Sequence, residues 1–91
     1  MATYINTNGF ELDVFPNNGE KFTLEELQKL VGGYIERISM PDGKAMYVNE
    51  DGKIKGLPYN IKATTMLKMH GLIPNDYVVG NVVVLSNDEE D

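Results

Sequence analysis

Between Val48 and Thr65 the chain reads V-N-E-D-G-K-I-K-G-L-P-Y-N-I-K-A-T-T, and most of its candidate binding chemistry is gathered there. Lys53, Lys55 and Lys62 could neutralise a phosphate or carboxylate. Asn49, Asn60 and Thr64, with Thr65, offer donors and acceptors suited to a base or ribose edge, and Glu50 and the more distant Asn81 add to that set. Tyr59 sits between Pro58 and Asn60, where it could stack on a nucleobase or anchor a protein partner. Asn60 is placed to cap a helix, whose unpaired N–H groups and positive dipole end favour an anion. The bland alternative is that Asn60 only caps, Asp51-Gly52 only turns and the lysines are solvated. Neither G-x-x-x-x-G-K-S/T nor G-x-G-x-x-G occurs, so no named phosphate loop is present.

Hydrolytic and redox centres find little support. The 91 residues contain no cysteine and one histidine, which removes thiolate metal sites, cysteine nucleophiles and multi-histidine metal sites together. His70 falls on the expected apolar stripe of a helix and reads as a packed edge rather than a base. Glu25-Glu26 and Glu50-Asp51 are adjacent acids better explained by capping and solvation than by a catalytic dyad. No catalytic residue, metal or cofactor is expected, and the reading is a non-enzymatic binding protein.

Charge narrows the partners. The formal net charge is −6, but Asp88, Glu89, Glu90 and Asp91 are four of the fourteen acids. The rest of the chain carries ten acids against eight bases, so the acidity belongs to residues 87–91, expected as a flexible tail after a single domain over 1–86. A nearly neutral body with an acidic end disfavours direct binding to nucleic acid, which needs a basic face. No apolar run approaches membrane-spanning length and no basic-then-apolar leader opens the chain, so cytoplasmic residence is the default expectation.

Several elements are needed to position these residues. Asn8-Gly9 between Thr3–Thr7 and Phe10–Phe15 predicts a two-residue hairpin, with Phe10, Leu12 and Val14 on one face. Thr23 with Glu26 forms a capping box, Phe22 and Leu27 a hydrophobic staple, and Leu24, Leu27, Leu30 and Val31 a buried stripe that Gly32-Gly33 ends. Tyr34–Met40 and Lys44–Asn49 read as strands around a Pro41-Asp42-Gly43 turn. A second helix runs from Ile61 to about His70, and valine-rich Tyr77–Ser86 reads as a central strand in which Gly80 marks a bulge or close backbone approach. The order hairpin, helix, hairpin, helix, strand predicts an α+β domain: a small, mostly antiparallel sheet with two helices packed on one face.

Three blocks carry a resemblance: V-G-G-Y-I-E within Leu27–Glu36, N-E-D-G-K-I-K-G-L-P-Y-N within Val48–Asn60 followed by Ala63-Thr64, and V-G-N-V-V-V at Val79–Val84. Together they cover about residues 24–85 and resemble a family of small domains of unknown function common in bacteriophages, plasmids and related bacterial genomes. The resemblance implies an accessory gene of a mobile element with no assigned reaction. It also implies that Glu36, Asn49, Glu50, Lys55, Pro58, Asn60, Thr64 and Asn81 form one motif set suited to a shared pocket.

The expected function is therefore binding of a small anionic ligand, with a nucleotide foremost, in a phage-type protein that sequesters a host defence signal in the host cytoplasm. The alternative is an acidic inhibitor of a host nucleic-acid-processing enzyme. A homo-oligomer is compatible with so small a core.

Overall fold

Capping chemistry sets the first helix, as the local sequence demands. The structure, a computed structural model, describes residues 2–90. In chain order it contains β1 (Ala2–Ile5), β2 (Glu11–Val14), α1 (Leu24–Val31), β3 (Ile35–Ser39), β4 (Lys44–Asn49), α2 (Ile61–Met69) and β5 (Val82–Ser86). At the start of α1 the Thr23 hydroxyl accepts the Glu26 N–H at 3.2 Å, and Glu26 accepts the Thr23 N–H at 2.9 Å. The other Glu26 oxygen takes the Asn17 N–H at 2.8 Å, and these bonds hold its carboxyl below the usual range. Gly32 closes the helix with φ 87°, donating its N–H to the Gln28 carbonyl. Phe22 and Leu27 are both buried, whereas Leu24 is mostly exposed because Phe22 takes the buried place at that end.

The five strands form one sheet in the order β2-β1-β5-β4-β3, every neighbouring pair antiparallel. The domain is thus α+β, but the two helices do not share a face. Val83 and Leu85 of β5 and Ala45 and Tyr47 of β4 pack with Leu27 and Val31 of α1. Their alternate neighbours, Val82, Val84, Met46 and Val48, pack with Ala63 and Leu67 of α2. Successive residues of a strand point to opposite faces, so the sheet lies between the helices. The reason is in β5 itself: four consecutive buried apolar residues need cover on both sides. His70, expected on the packed stripe of α2, is exposed beyond the helix end.

Other boundaries shift for local reasons. The first hairpin turns over Asn6–Gly9, closed by the Gly9 N–H on the Asn6 carbonyl; Gly9 alone is left-handed, and the Asn6 side chain accepts the Asn8 and Phe10 N–H groups. The last strand begins at Val82 rather than Tyr77, because Gly80 at φ 79° redirects the chain. A Cβ on Gly80 would stand 2.9 Å from Leu57 Cδ1, so the close approach expected there is present.

The acidic end is folded rather than free as far as residue 90; Asp91 lies outside the described residues. Asn87–Glu89 form a short 3-10 turn capped at Ser86, and Glu89 is buried. The Phe22 N–H donates to the Glu89 carbonyl at 2.8 Å. Glu90 accepts both Nε (2.6 Å) and Nη2 (3.0 Å) of Arg37, and its Oε1 also accepts the Tyr47 hydroxyl. These bonds, the Arg37 guanidinium foremost, hold the Glu90 carboxyl below the usual range. Burial, reinforced by Glu90, pushes the Tyr47 phenol up to about 12.

Two outcomes follow. Glu90→Ala should lower stability by about 1–2 kcal/mol at neutral pH, a charged hydrogen-bond value discounted because Arg37 is half exposed. A depressed carboxylate stabilises above its unfolded-state pKa and ceases to as pH falls through its folded one. The gap between variant and wild type in urea titrations should therefore close on acidification; a gap that persists at pH 2 would refute the assignment.

Candidate functional site

β4 ends at Asn49, a residue only 6% exposed, with its side chain on the α1 side of the sheet. Asn49 Oδ1 accepts the Asp51 N–H at 2.9 Å, which starts the turns over 50–56. That bond assigns the amide, since only the oxygen can accept. Nδ2 therefore points the other way, toward Gly33, and has no hydrogen-bond partner among the described residues. A buried donor left unpaired costs about 1–3 kcal/mol, so an acceptor placed here gains from it.

Lys55 brings its ammonium to the same place. A Cβ on Gly33 would stand 3.0 Å from Asn49 Nδ2 and 3.1 Å from Lys55 Nζ. Two donors, one charged, converge there, which is the arrangement an oxyanion satisfies. Lys55 has no ion pair among the described residues, unlike Lys53 and Lys62. Val31, Leu57 and Pro58 give the pocket apolar walls, and Asn81 stands among its lining residues; its volume is about 240 Å³. Asn81 Oδ1 is engaged by the Thr7 N–H at 3.2 Å, leaving its NH₂ as a further donor.

Backbone close to backbone makes this pocket. The Gly80 N–H donates to the Pro58 carbonyl at 2.8 Å, and the Leu57 N–H to the Gly52 carbonyl at 3.0 Å. Gly52 has no room for a side chain either: a Cβ would stand 2.8 Å from Val79 Cγ2. The 50–59 loop is thus pinned against the segment leading into β5, and Lys55 is carried on it.

Of the nine residues singled out by sequence, three meet here: Asn49, Lys55 and Asn81. Two more line a second depression of about 210 Å³, where Glu50 and Lys53 stand with Glu36, Asp76 and Tyr77. Lys53 is already neutralised, paired with Asp76 and lying 4.5 Å over the Tyr77 ring. Asp76 holds the Lys53 ammonium above its ordinary value, and Lys53 holds Asp76 below its own. Tyr59 stacks on the same Tyr77 ring at 5.6 Å and is not among the residues lining the Lys55 pocket. Lys62 pairs with Glu11 at 2.7 Å. The three lysines therefore do not converge on the start of α2.

Asn60 and Thr64 hold the frame. Fully buried Asn60 accepts the Ala63 N–H at 3.0 Å and donates to the Ile5 and Gly80 carbonyls at 3.2 and 2.8 Å. The Thr64 hydroxyl accepts the Val78 N–H at 2.8 Å. Neither side chain has a face left for a ligand. Gly33 is the site residue that pattern reading passes over, although its signal is there. Gly32 suffices for the left-handed cap, so a second glycine without positive φ points to a lack of space. Thr7 and Leu57 carry no comparable signal.

Fold and pocket together define a small α+β domain with an apolar-walled pocket holding polar donors at the C-terminal end of its first helix. The chain belongs to the family described as Domain of unknown function (DUF3846), which it matches over residues 8–91. No curated protein and no solved structure matches it.

Removing the Asn60 amide should be far costlier than an ordinary cap deletion. Asn60→Ala leaves two buried carbonyls and an N–H without their partner, so about 2–4 kcal/mol of stability should be lost in chemical denaturation. A loss below 1 kcal/mol would show that the amide does not bear this role.

Proposed function

We propose that this chain is a non-catalytic binding protein for a small anionic molecule, held by its phosphate or carboxylate group between Asn49, Lys55 and Asn81. The observation that carries the reading is the buried Asn49 Nδ2 beside the Lys55 ammonium, neither with a partner among the described residues. Binding rather than turnover is favoured by the pocket's lining, which among the described residues includes amides and an ammonium but no carboxylate or imidazole to move a proton.

A nucleotide fits this chemistry if it enters phosphate first. At about 240 Å³ the pocket is smaller than the ~300–1,000 Å³ typical of sites that enclose a whole drug-sized ligand. The phosphate would lie against Lys55 and Asn49, with sugar and base on the outer surface. The resemblance to domains of phages and plasmids suggests the use: a stoichiometric protein that sequesters a host signalling nucleotide. The rival reading, an inhibitor acting through an acidic arm, has less beneath it, because Glu89 is buried and Glu90 is paired with Arg37.

A thermal-shift panel of inorganic phosphate, sulfate, mono-, di- and cyclic nucleotides and ADP-ribose should raise the melting temperature with ligand concentration. Lys55→Met should weaken the response about tenfold or more, the size of one lost charge-assisted hydrogen bond. Gly33→Ala should do the same by pushing a methyl between the donors, and Asn49→Asp by supplying the anion internally. Lys62→Met, whose ammonium pairs with Glu11 and does not line this pocket, should leave the response unchanged. An undiminished response in Lys55→Met would remove the site assignment, and a flat panel for the wild type would remove the function.

A further inference from the structure

β2 forms one edge of the sheet, so the outward N–H and C=O groups of Glu11–Val14 face no strand. α1 makes its main contacts with β3, β4 and β5, and of the β1–β2 hairpin its core takes Ala2 and Val14 at one end. Leu12, opposite Tyr4 on that face, is left 53% exposed, and the flanking Phe10 and Phe15 are 64% and 67% exposed. Beside them, between the end of β2 and α1, a cleft of about 450 Å³ has apolar walls from Val14, Phe15, Phe22 and Leu30 and a polar rim that includes Glu26 and Lys29. The opposite face of the same strand is acidic. Glu11 and Asp13 point there, Glu11 sharing its charge with Lys62, while Asp13 has no ion pair among the described residues.

We propose that this edge accepts an extended peptide segment alternating apolar and basic residues, added to the sheet as a sixth strand. A strand laid on the edge presents successive side chains to opposite faces. Its apolar residues would cover Leu12 and Phe10 and enter the cleft, and its basic residues would meet Asp13, which has no ion pair among the described residues. Main-chain bonds supply affinity in this mode, and the alternating surfaces supply selectivity. A second copy of β2 is the wrong occupant. An antiparallel pair that keeps Leu12 on the apolar face sets Glu11 opposite Asp13, and like charges directly opposed are destabilising. The inference is independent of the anion pocket, with which the cleft shares no lining residue.

The test is an amide-shift titration of isotope-labelled full-length protein with a capped hexapeptide alternating lysine and valine. Its isomer with three lysines followed by three valines is the control. The alternating peptide should shift the amides of Glu11–Val14 and bind at least about fivefold more tightly than the block isomer, as expected from opposed cross-strand pairs. Asp13→Lys, at an exposed position, should weaken it by about the same factor. Equal affinity for the two peptides would reduce the effect to net charge and overturn the proposal, as would the absence of shifts at Glu11–Val14. Concentration-dependent dimerisation abolished by Leu12→Lys would also overturn it, by giving the edge to a second copy.

Discussion

One buried amide ties together the parts that would otherwise be separate. Asn60 caps α2 through Ala63, reaches the end of β1 through the Ile5 carbonyl, and holds the Gly80 carbonyl at the approach to β5. Each is a long-range contact or a helix terminus whose polar groups would otherwise be buried without partners. The segment it fixes is the one that carries Asn81, and Gly80 in turn holds Pro58 and the loop bearing Lys55. The candidate pocket therefore inherits its shape from a residue that does not line it. This is the usual relation between a binding group and the frame that orients it.

The lysines illustrate how a charge acquires a role. Lys53, Lys55 and Lys62 lie within ten residues, yet the fold gives each a different environment. Lys53 is neutralised by Asp76 and Lys62 by Glu11. Among the described residues Lys55 has no ion partner, and it lies beside a buried donor that has none there either. The difference between a structural cation and a binding cation here is entirely one of partners, and those partners come from distant parts of the chain.

That is also where sequence reasoning stops being sufficient. Thr23, Glu26 and Gly32 announce α1 because capping is chemistry between residues three or four apart. Lys44–Asn49 and the Asn60 cap are legible for the same reason. The α+β order follows from these elements. Their layering does not follow from that order, although Val82 to Leu85, apolar at both parities, is the residue pattern of a strand buried on two faces. An acidic chain end reads as solvated on composition alone, because its partner Arg37 lies 53 residues away. Asn49 and Asn81 can be picked out as polar groups in apolar surroundings, but not as neighbours. Gly33 could have been found by asking why one glycine was not enough.

The sheet order has a consequence for how the domain comes into being. β5 lies at the centre, yet it follows every other strand and both helices in the chain. Until Val82–Ser86 has left the ribosome, the β1–β2 hairpin and the β3–β4 hairpin have nothing to join them, since neither pairs with the other. Two isolated hairpins are marginal in water. Synthesis of this domain therefore delivers the central strand after the four strands it joins.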